Sequence, residues 1–271
     1  MRCIRKRRGV LGAAVLVLAA WLASGSSGGV APPAASGAGK EEPPEGKLVF
    51  EDRFENGLAN WVSEGPFLTD VKDGRLHVKT TWEGRKVGEY LWCRKELPAD
   101  FRVEYDFTPL SDSGFFLLFF CAQGVKGEDI LAPELFESYM NHATWQDYED
   151  FDKYTSPPDR KHGSRIRCYH VSYRRGNQAN CNLRKNPGLN LIKTSDISQL
   201  LPKDKTVHVA LTKKGGRILL TVDGRTFMDY TDAGAVDGAF YNGGKFGFRQ
   251  VYESDGTYAN VRVYDLTQRK Q

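Results

Sequence analysis

The residue types best suited to chemistry fall in three short stretches of this chain. In Arg167-Cys-Tyr-His-Val-Ser-Tyr-Arg174, alternate side chains of an extended strand face opposite sides. Tyr169, Val171 and Tyr173 therefore form one apolar face, leaving Cys168, His170, Ser172 and Arg174 on the other. The same counting places Asn182, Arg184 and Asn186 on one side of the stretch that ends at Pro187. In Lys245-Phe-Gly-Phe-Arg-Gln250 it sets Lys245, Gly247 and Arg249 against Phe246 and Phe248. Three strands thus bring His, Asn, Arg and Lys to what a sandwich could expose as one sheet surface, and such a surface suits an acidic ligand.

Two reactions can be weighed against these residues. β-Elimination on a uronate needs a group that neutralises the carboxylate, a base for the adjacent proton and an acid for the leaving oxygen. His170, Tyr173, Asn182, Arg184 and Gln250 are the right types, with His170 as base and Arg184 with Asn182 as carboxylate neutralisers. Period-2 counting sets Tyr173 and Gln250 opposite His170 and Arg249, so all five line one groove only if a bulge intervenes. Glycoside hydrolysis needs two carboxyls about 5 to 9.5 Å apart. Glu104 and Asp106 share a strand face at roughly 6 to 7 Å, but lack the third acidic residue of the Glu-x-Asp-x-x-Glu signature of laminarinase-like jelly rolls. Trp82, Trp92, Tyr139, Trp145 and Tyr241 could stack on sugar rings, with Trp145 in a polar stretch the best exposed. Phe115, Phe116, Phe119 and Phe120 read as core.

Other chemistries find little support. From residue 47 onward the sequence has no Gly-x-Ser-x-Gly elbow, phosphate loop or His-Glu-x-x-His pair, and no Cys-x-x-Cys spacing for zinc. No cofactor is expected. Gly127-Glu-Asp-Ile and the acidic run Asp147, Glu149, Asp150, Asp152 could supply oxygen ligands to calcium, without EF-hand spacing.

These residues must be carried by strands. Period-2 alternation or short β-branched and aromatic runs mark 48–52, 75–79, 90–93, 101–107, 115–121, 207–211, 218–222, 245–248 and 259–264. Asp223-Gly224 between two such runs predicts a two-residue hairpin turn. Long helices are not evident; 132–152 reads as a surface excursion. Many short strands with frequent turns predict an all-β, two-sheet antiparallel β-sandwich.

Residues 1–24 have the cationic, apolar and small-residue layout of a secretory signal. Their apolar run, Val10 to Ala23, is shorter than the roughly 20 residues a bilayer span needs. The expectation is therefore a cleaved leader, no stable membrane anchor, and a secreted or periplasmic protein. Residues 25–46 read as a flexible Gly/Ala/Pro/Ser linker, and 47–267 as one domain. The net charge of +4 includes Arg2, Arg5, Lys6, Arg7 and Arg8, so the domain itself is near neutral and nucleic acid is not an expected partner. Cys93, Cys121, Cys168 and Cys181 allow disulfides in an oxidising compartment. Cys168 and Cys181 flank one hairpin and are the leading couple, with four separately buried thiols as the alternative.

The segments Gly127-Glu-Asp-Ile, Tyr169-His-Val-Ser-Tyr-Arg, Cys181-Asn-Leu-Arg-Lys-Asn-Pro-Gly and Gly244-Lys-Phe-Gly-Phe-Arg-Gln, in that order, resemble the YesU-like family, a bacterial domain of unknown function. The resemblance runs from about Phe54 to Leu266. It implies a concanavalin A-like lectin/glucanase jelly roll, often encoded by bacteria that degrade acidic polysaccharides. It also implies that His170, Ser172, Asn182, Arg184, Lys185, Arg249 and Gln250 recur at the site. Residues 178–180 look like a shortened loop. The resulting expectation is a polysaccharide partner, specifically an acidic glycan, uronate-containing or sulfated, with β-elimination ahead of hydrolysis. The alternatives are a non-catalytic lectin-like module, a glycosidase using Glu104 and Asp106, and an envelope protein whose polar face binds another protein.

Overall fold

The computed structural model describes residues 46–267 except 65–67, 81–88, 113, 133–165, 176–180, 188–189, 196–200, 237 and 252. The predicted leader, the linker up to Glu45, Trp82, Tyr139, Trp145 and the acidic run 147–152 lie outside the described residues. Arg174 is placed by its backbone opposite Phe115, and its side chain also lies outside them.

Among the described residues, fifteen strands form two antiparallel sheets. The first sheet holds β1 (Lys47–Asp52), β3 (Leu68–Lys72), β4 (Arg75–Lys79), β6 (Phe101–Pro109), β11 (Val207–Lys214), β12 (Arg217–Val222), β13 (Arg225–Thr231) and β15 (Asp255–Asp265). The second holds β2 (Trp61–Glu64), β5 (Glu89–Cys93), β7 (Gly114–Gly124), β8 (Ile166–Arg175), β9 (Cys181–Asn186), β10 (Asn190–Ser195) and β14 (Lys245–Val251). Its order is β10-β9-β8-β7-β14-β5-β2. This is a two-sheet antiparallel sandwich, and every segment expected as a strand lies within one. Strands β2, β3 and β10 were not marked by the alternation reading; each is short and at or beside an edge, where one apolar face is enough to hold it.

The Asp223-Gly224 turn has φ of 48° and 73°, the doubly positive pattern of a type I′ hairpin between β12 and β13. Between the sheets pack Phe101, Val103, Tyr105 and Phe107 of β6 against Phe116, Leu118 and Phe120 of β7, Tyr169, Val171 and Tyr173 of β8, and Phe246 and Phe248 of β14. Their rings meet edge-on or offset, for example Phe107–Phe116 at 4.8 Å and Phe248–Tyr258 at 4.2 Å between centroids, the arrangements aromatic quadrupoles favour.

Phe119 departs from the expected pattern. It is buried, yet in a second apolar cluster with Trp92, Leu117, Ala122, Ile130, Cys168 and Val251, on the far side of the second sheet, and Phe115, also expected in the core, is only partly buried against that cluster. Along β7, Phe116, Leu118 and Phe120 take the inter-sheet face, so Leu117 and Phe119 must take the other. An apolar run that is hydrophobic on both faces hides this division from composition. At Cys121, with φ of 53°, a bulge breaks the register, so Phe120 and Cys121 both enter the main core and Ala122 faces out.

Among the described residues, Cys93, Cys121, Cys168 and Cys181 are buried free thiols. Cys168 belongs to the outer cluster and Cys181 to the inter-sheet core, and each pairs in register with a different residue, Asn186 and Tyr173. The two sulfurs therefore point from opposite faces of the sheet, which rules out the disulfide expected between them.

Candidate functional site

The outer face of the second sheet is built as rows that cross the strands. Register sets Tyr90, Arg249, Leu117, Ser172, Asn182 and Thr194 in one row. The next row is Trp92, Gly247, Phe119, His170 and Arg184. Adjacent strands lie about 4.8 Å apart and like-facing residues along a strand about 6.7 Å apart, so neighbours in these rows are in side-chain reach. His170, Ser172, Asn182, Arg184 and Arg249 are thereby brought to one surface.

The centre of that surface is sheltered. His170 is 4% exposed, Ser172 5%, Phe119 6% and Arg249 9%, while Tyr90, Asn182 and Arg184 at the sides are half-buried. Tyr90 and Trp92 stack nearly parallel, 5.4 Å and 5° apart, and Phe119 meets both edge-on. Phe119 in turn stacks on the His170 ring at 4.7 Å. Gly247 makes the indole's position possible: a Cβ there would lie 2.7 Å from the Leu91 carbonyl oxygen and 2.8 Å from the Trp92 ring. We expect Gly247→Ala to cost about 1–3 kcal/mol by overpacking, read as a lower urea midpoint at unchanged m-value.

The guanidinium of Arg249 lies 4.6 Å from the Tyr90 ring centroid. Its Nε is buried and, among the described residues, has neither a hydrogen-bond partner nor an ion pair. His170 Nδ1 is 2.9 Å from the Asn186 amide nitrogen, which also donates to Cys168 Sγ at 3.4 Å. Burial first, and then the Arg249 and Arg184 guanidiniums, push the His170 pKa down to about 3, so the ring is neutral at physiological pH. Burial also pulls Arg184 below its ordinary value. Across the sheet edge Thr194 donates to Asn182 Oδ1 at 2.9 Å.

Three expected site residues face the other way. Tyr173 is 2% exposed, and its hydroxyl bonds the Tyr105 hydroxyl between the sheets. Burial holds its pKa far above the ordinary phenol value, so it cannot exchange protons with a ligand on the outer face. Gln250 is fully buried and donates to the Tyr258 hydroxyl at 3.1 Å. Lys185, also fully buried, donates to the carbonyls of Val236, Gly238 and Ala239 at 2.6–3.1 Å and pairs with Asp232 at 2.9 Å. Its ammonium lies 4.7 Å from the Tyr241 ring, so Lys185 and Tyr241 are parts of one internal cage. The physical reason is the same for all three: each sits one residue out of phase with the outer row, and no bulge separates it from its neighbour there.

The carboxylate pair considered for hydrolysis does share a strand face, but on the outside of the first sheet. Glu104 is held by Arg102. Asp106 accepts from Asn260 at 2.7 Å and contacts His208 at 3.1 Å. The His208 contact keeps the Asp106 carboxyl below its ordinary pKa, the reverse of what a general acid requires. Of the expected calcium ligands, Glu128 accepts from the Lys126 N–H at 2.8 Å and Asp129 pairs with Lys245 at 3.2 Å. Among the described residues no three His, Cys, Asp or Glu side chains converge as a metal site.

Asn186 and Phe119 are parts of the site to which the residue types alone assigned no role. Counting in twos did set Asn186 beside Asn182 and Arg184, but only the register Cys168↔Asn186 shows that it reaches back to the His170 ring.

The two sheets and the rows across one of them define a protein of the concanavalin A-like, galectin-like jelly-roll class. The chain belongs to the family described as "Domain of unknown function (DUF1961)", whose model matches residues 47–263. It is 26% identical to the uncharacterized protein YesU of Bacillus subtilis (strain 168) over 237 residues, 83% of this chain and 99% of that one. It superimposes on a Bacillus subtilis protein of unknown function with a galectin-like fold at a TM-score of 0.67 and 25% identity, covering 82% of this chain and 97% of that chain. A carbohydrate-binding module, CBM66 from Bacillus subtilis, aligns at a TM-score of 0.48 and 14% identity, over 76% of this chain and 96% of that chain.

Proposed function

We propose that this chain is an exported carbohydrate-binding protein and that the outer face of its second sheet grips an anionic group of an acidic glycan. One observation carries the reading: Arg249 is a buried cation whose Nε has no partner among the described residues. Leaving a charge desolvated and unpaired is costly, and a ligand carboxylate or sulfate placed against the planar guanidinium would offset that cost with charge-assisted hydrogen bonds. In the same row Asn182 and Ser172 offer hydroxyl-compatible donors and acceptors. The leader-like layout of residues 1–24 supports export.

The β-elimination reading retains His170, Asn182 and Arg184 on one face, but Tyr173 is removed from it by its place in the core. Binding therefore accounts for more of the geometry than catalysis does. The test is calorimetric titration of the purified protein with polygalacturonate, a sulfated polysaccharide and a neutral β-glucan, with ultraviolet absorbance and reducing ends followed in parallel. Binding to the anionic polymers, weakened by salt and reduced about 30-fold or more by Arg249→Gln, a loss of about 2 kcal/mol, is expected. The polygalacturonate and sulfate arms separate the two anion types. Equal binding of the neutral glucan, or an Arg249→Gln variant that binds as wild type, would overturn the reading. Rising absorbance from an unsaturated uronate would replace binding by a lyase.

A further inference from the structure

We infer that Asn186 is a positioning residue that holds His170 as the Nε2–H tautomer, so that His170 meets the ligand as a neutral hydrogen-bond donor and not as a base. The inference rests on the glycan-binding reading only for what lies opposite Nε2; the tautomer itself stands on the protein's own geometry.

The two ring nitrogens of a neutral histidine divide one proton, and the bond made by one nitrogen decides the state of the other. On β9, Asn186 sits in register with Cys168 on β8, next to His170 on the same face. Its amide nitrogen lies 2.9 Å from His170 Nδ1 and 3.4 Å from Cys168 Sγ. One NH2 group can serve both atoms only as donor to each, so the Nδ1 lone pair is the acceptor and the proton is on Nε2. Phe119 stacks on the ring at 4.7 Å and fixes its plane, so the donor direction is set as well. No described residue bonds Nε2. The charged groups that act on the ring are cations on both sides, Arg249 from β14 and Arg184 from β9, and together with burial they keep it neutral.

The chemical consequence is specific. A neutral imidazole with Nδ1 engaged and Nε2 protonated has no lone pair available to remove a proton from a sugar carbon. It has an N–H that can complete the coordination of an anionic or hydroxyl oxygen beside the Arg249 guanidinium. Asn186 thus decides between gripping and abstraction without touching the ligand.

The experiment is long-range 1H–15N correlation NMR of the whole protein with labelled histidine, from pH 5 to 8. We expect the His170 Nε2 resonance in the pyrrole-type region and Nδ1 in the pyridine-type region throughout. Asn186→Asp replaces the donor by an acceptor and should move the proton to Nδ1, with at least about a 10-fold loss of glycan affinity. His170→Gln, which retains an N–H of similar reach, should bind within a few-fold of wild type, whereas His170→Phe should not. A wild-type ring with its proton on Nδ1, or an imidazolium across this range, overturns the inference. An Nε2–H ring in a protein that binds none of the three polysaccharides upholds the tautomer and overturns the functional reading instead. Uronate elimination that disappears in His170→Gln would overturn the donor role directly.

Discussion

Lys185→Met should lower the stability of the fold by about 3–5 kcal/mol, the range for removing one partner of a buried ion pair. The lysine is on β9, with its ammonium fully buried inside a cage made by the connection between β13 and β14. It supplies hydrogen bonds to Val236, Gly238 and Ala239 and the counter-charge to Asp232. Asp232 also accepts from the Tyr169 hydroxyl and from the Gly234 N–H. Burial acts to raise the Asp232 pKa, but these donors with Lys185 outweigh it and hold the carboxyl ionised. Methionine keeps the apolar stem and removes only the charge, leaving a buried carboxylate and three carbonyls short of a donor. Urea denaturation reads the loss as a lower midpoint. Adding Asp232→Asn should recover part of it, since the orphaned charge goes too, and the coupling between the two substitutions measures the pair. A loss below about 1 kcal/mol would mean that the connection is held by other contacts. Affinity for a glycan, measured on the folded fraction, should be unchanged, because Lys185 faces away from the outer rows.

Acid should destabilise the protein well before its carboxylates titrate, and His170 is the reason. The folded-state pKa is pushed to about 3, below the ordinary 6.5, by burial and by the Arg249 and Arg184 charges. The unfolded chain therefore binds the proton more readily than the folded one. The contribution of His170 is complete above the unfolded pKa and is lost as pH falls from 6.5 toward 3. The slope approaches about 1.4 kcal/mol per pH unit, and the loss reaches about 2.7 kcal/mol by pH 4.5. Carboxyls with lowered pKa, Asp106, Asp229 and Glu51 among them, add losses of the same sign at lower pH. The difference between wild type and His170→Gln isolates the histidine. Stability curves of the two proteins should converge as the pH falls from 7 to 4.5, by roughly the 2.7 kcal/mol above. Curves that stay parallel would show that His170 is protonated or solvated in the folded state.

The His170 result bears on what kind of surface the second sheet presents. A buried guanidinium whose Nε lacks a partner among the described residues is a costly arrangement for a surface with no ligand, and under the proposed reading an anionic sugar would supply the hydrogen bond that Arg249 lacks. The stacked pair Tyr90 and Trp92 and the Phe119–His170 pair make the floor stiff, so little conformational entropy remains to be lost on binding.

Much of the fold was legible from alternation alone. In β8, β9 and β14 the chain itself separates Tyr169, Val171 and Tyr173 from His170 and Ser172, Leu183 from Asn182 and Arg184, and Phe246 and Phe248 from Arg249. That separation is a local consequence of the pleat, and so was the hairpin at Asp223-Gly224, where positive φ at both residues needs nothing distant. Strand pairing was a different matter. Whether three polar faces lie side by side depends on contacts between residues far apart in the chain, such as Phe119 with His170 and Leu117 with Ser172.

The sequence by itself determined an all-β sandwich, its hairpin and the two-sided character of each site strand, because these follow from backbone geometry within a few residues. Tertiary structure alone decided that Glu104 and Asp106 belong to the opposite sheet, that Asn186 reaches the His170 ring, and that Lys185 is part of an internal cage. A polar side chain on a core-facing position is counted as out of place by any local rule. It is stabilised here by carbonyls some fifty residues away, at Val236 to Ala239, and only the folded chain brings them together.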